Sequence, residues 1–230
     1  MVAVMREIIL EGLGGQGPRI AGDCMVYAAF LEGKHAQAFP CYGPGRRSGV
    51  VTVFYRLDDK PIRRKCTFLE ADCFILMHEY LLKAFTSKGS MLPVAAGLSP
   101  KGPYLVRADD SVLRSIASAG GTGLEAVKLK EGGVIIANTT LKPEEIRVGR
   151  EVHPSKIATL DANVISEKIY GRRPIPIVNT IMIGAFARVT SWLKLDSVIA
   201  AIRRQWPSAT DLNSNAAKMG YEAAEVLELG

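Results

Sequence analysis

Apolar and polar positions alternate along the chain with two different periods, and the places where the period changes mark its elements. Residues 7–13 barely alternate, which is the pattern of a strand covered on both faces. A glycine-rich stretch follows. Pro18 then suits a first helical position, since its missing N–H would have had no partner there. Met25, Ala28, Ala29 and Leu31 give that helix an apolar face, and Gly33 ends it. Residues 35–39 predict a second strand. Residues 50–57, VVTVFYRL, predict a third, dense in β-branched and aromatic side chains. DDKP reads as a turn, and residues 62–68 as the antiparallel strand returning from it. Residues 71–77 and 133–138 (GVIIAN) predict further buried strands, with a short helix over 79–85.

Residues 86–130 are rich in Gly, Pro and Ser, lack a period, and read as an inserted loop region. The last third predicts helices over 162–170, 177–193, 196–205 and 211–227, punctuated by Pro174, Pro176 and Pro207. No repeat and no interdomain linker is visible. The expectation is one α/β domain over residues 1–230. It is a Rossmann-like open sheet with a Gly-rich first strand–helix loop, an antiparallel hairpin and a helical C-terminal third.

Composition narrows the function classes. Of 230 residues, 29 are Lys or Arg and 23 are Asp or Glu, a net charge of +6. That excess suits a polyphosphate ligand or an acidic partner. No aromatic-interleaved basic stripe or zinc-finger spacing is present, so no nucleic-acid partner is expected. The cysteines, Cys24, Cys41, Cys66 and Cys73, show no CxxC spacing and so no metal or iron–sulfur framework. They read as free thiols of a reducing, cytoplasmic compartment. No signal peptide is read at the N-terminus. The apolar run 176–193 falls short of a membrane span and is broken by Asn179 and Arg188, so it reads as a core helix and no membrane partner is expected.

The stretch EGLGGQGPRIAGD carries the first candidate chemistry. Gly12, Gly14 and Gly17 match G-x-G-x-x-G between a predicted strand and a predicted helix. Glycines let backbone approach a ligand, and N–H groups at a helix start attract anions. A dinucleotide site would also need an acid ending the second strand, and HAQAFPCY supplies none. A Walker A loop is excluded, because no Lys-Ser/Thr follows the glycines. The alternative is a tight turn that binds nothing. A second loop, CYGPGRRSG, holds Arg46 and Arg47. Loops at the carboxyl ends of strands share one crevice, and two guanidiniums there suit a diphosphate or a phosphorylated ribose. Their alternative is a solvated surface pair. His35, His78 and His153 lie in unrelated segments, and no catalytic side chain is assigned.

The two loops in order, with LEADCFILMHEYLLKAF, LKEGGVIIANTT, PIVNTIMIGAFARVTSWL and LNSNAAKMGYEAA, resemble the gamma subunit, or gamma domain, of the 2-oxoacid:ferredoxin oxidoreductases. The likeness covers nearly the whole chain apart from about residues 86–127. It implies a non-catalytic subunit of an enzyme that oxidatively decarboxylates a 2-oxoacid, commonly with coenzyme A as acyl acceptor. Electrons pass to ferredoxin, in anaerobic metabolism. Thiamine diphosphate, Mg and [4Fe-4S] clusters belong to partner alpha, beta and ferredoxin-like delta subunits. Carried over by position, Gly14, Gly15, Gln16 and Gly17 form a backbone cradle, and Arg46, Arg47 and Ser48 meet the coenzyme A phosphates. The sequence departs from the family pattern where the usual acid and RGG become Gly45, Arg46-Arg47 and Ser48-Gly49, and where Pro18-Arg19 replaces the commoner small residues after the loop. Three alternatives stand beside this reading: a relative that does not use coenzyme A, its inserted loop closing the cavity; a stand-alone nucleotide-binding oxidoreductase; and a purely structural subunit.

Overall fold

The computed structural model describes residues 5–42, 49–86, 127–149 and 151–230. Arg46, Arg47, Ser48 and most of the expected inserted loop lie outside the described residues.

Strand β1 (Arg6–Leu13) leads through the glycine loop into α1 (Pro18–Leu31). Then come β2 (His35–Tyr42), β3 (Val50–Asp58), β4 (Glu70–Leu76), α2 (Glu79–Thr86) and β5 (Lys128–Asn138). The last part comprises β6 (Pro154–Leu160), α3 (Ala162–Tyr170), α4 (Asn179–Thr190), α5 (Leu195–Gln205), α6 (Thr210–Ala223) and β7 (Glu225–Glu228). The described strands form one sheet in the order β2-β3-β1-β4-β5-β6-β7. β1, β4, β5 and β6 are parallel, while β2, β3 and β7 join by antiparallel pairing. The expected open α/β sheet is what forms, with an antiparallel hairpin at a different place from the one expected.

Both faces of the parallel strands are covered, which is why those strands read as apolar runs. On one face Ile8, Leu10, Ile75, Met77 and Ile136 pack under α1 and α3 to α6. On the other, Ile9, Phe54, Phe74, Leu76 and Ile135 pack under α2 and the chain around Phe68 and Ile146. The run read as a core helix is α4, buried on all sides except at Arg188. No described helix is long and apolar enough to cross a membrane.

Several expectations need correction. Residues 62–68 are not a strand. β3 is paired with β2 along one edge and β1 along the other, so no edge is left for a returning strand. The hairpin is instead β2–β3. The 62–68 segment is held across the sheet by Gln37 Nε2 donating to the Ile62 carbonyl (2.9 Å) and Arg56 Nη1 donating to the Cys66 carbonyl (2.6 Å). Arg56 is itself buried, donates to Glu7 Oε1 (3.0 Å) and lies over the Phe68 ring. Asp72 accepts from the Glu7 N–H (2.8 Å) and from Lys130 Nζ (2.9 Å), so the buried charges are mutually paired. The helical third contains two strands, β6 and β7. The last helix stops at Ala223, short of the expected 227. Residues 128–130, expected in the inserted loop, begin β5.

Helices α4 and α6 meet at two glycines. A Cβ on Gly184 would strike the Ala217 carbonyl, and one on Gly220 the Ile181 carbonyl. Glycine in a helix interior is intrinsically about 1 kcal/mol worse than alanine, so an exposed Gly→Ala change would stabilise. Here the sign is expected to reverse. Gly184→Ala and Gly220→Ala should each lower unfolding stability by about 1–3 kcal/mol in urea denaturation, because the helices must separate. Unchanged or increased stability would contradict this close crossing.

Candidate functional site

The carboxyl ends of β1, β4, β5 and β6 lie along one edge of the sheet, and the glycine loop crosses it. Gly15 (φ 98°) and Gly17 (φ 81°) take left-handed conformations that other residues rarely adopt. Gly17 caps α1, whose first helical residue is Pro18. The loop is fastened from below. The Gly14 N–H donates to the Gly49 carbonyl (3.0 Å), and the Gln16 N–H to the Leu13 carbonyl (3.0 Å). The Gln16 side chain is buried: its Oε1 accepts from the Leu13 N–H (2.8 Å) and its Nε2 donates to the Met77 carbonyl (3.1 Å).

Of the four loop positions read as a backbone cradle, Gly14 and Gln16 thus donate within the protein. The N–H groups of Gly15 and Gly17 have no acceptor among the described residues, and neither do those of Arg19 and Ile20 in the first turn of α1. Those unpaired donors lie at the partly positive end of a 14-residue helix. The arrangement suits an anion that accepts several hydrogen bonds, such as a phosphoryl group.

The second loop is described only at its ends. Tyr42 pairs with Val51, and Val50 with Leu13, so the chain leaves β2 and enters β3 at the same edge. The Gly14–Gly49 hydrogen bond joins its closing end to the glycine loop. The topology also accounts for the missing dinucleotide acid. β3 lies between β1 and β2, so the end of β2 is not beside the first loop as a ribose-binding acid would have to be.

Residues without an assigned role in the sequence complete the site. Asn138, ending β5, donates from Nδ2 to the Met77 carbonyl (2.9 Å) and to Asn163 Oδ1 (3.1 Å), while its Oδ1 accepts from the Ala162 N–H (2.9 Å). Asp161 caps α3 by accepting from the N–H groups of Asn163 and Val164. A polar residue ending a buried strand, as in GVIIAN, was the available signal. Ile175 and Asn179 lie against the loop itself, and Asn179 stood out only as a break in an apolar run. His78 Nδ1 accepts from the Tyr80 N–H (3.1 Å) at the start of α2. No group of three or more His, Cys, Asp or Glu among the described residues is placed to hold a metal.

Glu11 lies on β1 one residue before Gly12. Burial pushes its carboxyl above the ordinary value of 4.5, and the hydroxyl of Thr52, donating at 3.0 Å, opposes this only partly. The folded state therefore holds the proton at pH values where the unfolded chain has released it. Stability should fall as pH rises from about 4.5 through the raised folded-state value. In Glu11→Gln that component should vanish, leaving melting temperature flatter over this range than in the wild type. Parallel pH profiles for the two proteins would contradict the assignment.

Comparison with known proteins agrees with this architecture. Residues 7–223 match the family model described as pyruvate ferredoxin/flavodoxin oxidoreductase. The chain is 34% identical over 226 residues to the common gamma subunit of the pyruvate/ketoisovalerate oxidoreductases of Pyrococcus furiosus, covering 98% of this chain and 100% of the relative. It is 32% identical over 226 residues to pyruvate synthase subunit PorC of Methanothermobacter thermautotrophicus, covering 98% and 99%. Among solved structures, pyruvate oxidoreductase subunit PORC of Thermotoga maritima superposes with a TM-score of 0.68 at 25% identity, over 97% of this chain and 99% of that one. A 2-oxoglutarate:ferredoxin oxidoreductase from Magnetococcus marinus, solved with 2-oxoglutarate, coenzyme A and succinyl-CoA bound, shares the fold at a TM-score of 0.56 and 12% identity, over 95% of this chain and 30% of that one. The chain belongs to the pyruvate ferredoxin/flavodoxin oxidoreductase family, as a gamma subunit of a 2-oxoacid:ferredoxin oxidoreductase.

Proposed function

We propose that this subunit binds the phosphates of coenzyme A at the entrance to an active site carried by its partners. The observation that supports the reading is the set of N–H groups at Gly15, Gly17, Arg19 and Ile20 without an acceptor among the described residues, with the ends of the Arg46-Arg47 segment close to the glycine loop. A phosphoryl group fits those donors: they are backbone groups in fixed positions at the partly positive start of α1. Arg46, Arg47 and Ser48 supply the further charge and hydroxyl that a diphosphate or ribose phosphate requires.

When bound, coenzyme A supplies the thiol that accepts the acyl group. This chain's own residues bind and orient. Gly15 and Gly17 donate from the backbone, Gln16 and Gly14 hold the loop in the shape that presents them, and the arginines neutralise phosphate charge. Thiamine diphosphate with Mg and the [4Fe-4S] clusters are assigned to the alpha, beta and ferredoxin-like delta subunits of a cytoplasmic complex, which reduces ferredoxin.

The test is kinetic, on the assembled complex. The double variant Arg46→Ala, Arg47→Ala is expected to raise KM for coenzyme A by about tenfold or more with kcat little changed, since each charge-assisted hydrogen bond is worth about 1.5–3 kcal/mol. An unchanged KM would remove the arginines from the site.

A further inference from the structure

The chain between β3 and β4 lies at the end of the sheet opposite the glycine loop. β3 ends at Asp58, β4 begins at Glu70, and Leu57 pairs with Arg6 at the start of β1. The eight residues of β1, about 25 Å of strand, separate this segment from the glycine loop.

Residues 62–66 are pinned at both ends. The Gln37 amide nitrogen donates to the Ile62 carbonyl (2.9 Å), and the Arg56 guanidinium donates to the Cys66 carbonyl (2.6 Å). Arg56 is itself held: its side chain is buried, its Nε donates to Glu7 Oε1, and it lies over Phe68, which packs edge-on against Phe54. Holding Ile62 leaves Gln37 Oε1 buried with no hydrogen-bond partner among the described residues. Stability is given up to keep the segment in place.

Between the pins stand Arg63, Arg64 and Lys65, all exposed. None of them has a carboxylate within ion-pair distance among the described residues. The acids nearest in sequence, Asp58, Asp59 and Glu70, fall outside the pins, and Asp58 accepts instead from the Lys60 N–H (3.0 Å). Just beyond the segment Leu69 is 64% exposed, next to buried Phe68. Fixed cations beside an exposed leucine suit an acidic protein surface. Carboxylates meet the cations, an apolar contact covers the leucine, and the held backbone lowers the ordering cost of association. A nucleic acid would leave Leu69 uncovered, and a membrane surface calls for a broad apolar face that this segment lacks.

We infer that residues 62–69 form a docking surface for an acidic face of a partner subunit in the oxidoreductase complex. Arg63, Arg64 and Lys65 supply the charge, and Leu69 is the apolar anchor.

Cys66 lies within this surface and is exposed, so its thiol reports whether the surface is covered. Iodoacetamide labelling, read cysteine by cysteine from peptide masses, compares the full chain alone with the chain in its assembled complex. Cys66 should react readily in the chain alone and at least tenfold more slowly in the complex. Buried Cys24 and Cys73 should stay unlabelled in both. Equal Cys66 rates overturn the inference. The charge is tested with the triple variant Arg63→Glu, Arg64→Glu, Lys65→Glu. Its melting temperature as an isolated chain should match wild type, since the three side chains have no partners to lose. Its Kd for the remaining subunits, from dilution of the purified complex, should rise by about tenfold or more. An unchanged Kd overturns the acidic partner. If the triple variant does not fold, Lys65→Glu alone should raise Kd by about threefold, and no change there has the same meaning. Binding of the full chain to phosphatidylglycerol vesicles or to duplex DNA, lost in the charge variant, would assign the surface to one of those and overturn the inference.

Discussion

The carbonyl of Met77, at the end of β4, holds this edge of the molecule together. It accepts from Gln16 Nε2 of the first loop and from Asn138 Nδ2 at the end of β5. The Met77 N–H in turn donates to the Glu11 carbonyl of β1 (2.8 Å). One residue therefore fixes three parallel strand ends and the loop between β1 and α1 through the peptide groups on either side of it. Both amides are buried, so losing either partner would strand polar atoms away from water, a penalty of about 1–3 kcal/mol. That constraint lets Gly15 and Gly17 remain in left-handed conformations instead of relaxing into an ordinary turn.

The two faces of the sheet play different parts. The face under α1 and α3 to α6 is almost wholly apolar and positions the helix starts at the carboxyl edge. The opposite face carries paired charges at one end, among Glu7, Arg56, Asp72 and Lys130, and the half-compensated Glu11 at the other. The antiparallel β2–β3 hairpin brings the second loop back to the first, which a purely parallel sheet would not do so locally.

Much of this was legible from residue patterns, for physical reasons that can be named. The non-alternating strands, the proline at the start of α1 and the all-round apolar α4 reflect local burial, which period and composition report directly. DDKP announced a turn, but whether the following chain pairs depends on which strand edges are free, and that is a property of the whole sheet. β7 follows α6 with no glycine or proline between them, so its EVLE merged with the helix. Gln16 was visible as part of a motif, yet its partner is a backbone carbonyl 61 positions away, and no spacing rule reaches that far. Asn179 was masked by its apolar neighbours: one amide in a buried helix looks like an interruption until the chain facing it is known.

Gly184 lies five residues beyond Asn179 on α4, about 7.5 Å along the axis. The contact with α6 therefore acts on a short, stiff lever whose other end rests on the glycine loop. Whatever thickness α6 presents at Gly220 sets the depth to which α4 seats, and with it the gap above Gly17. The C-terminal helix, far along the chain from the glycine loop, is in this sense the shim that gauges how closely α4 seats on it.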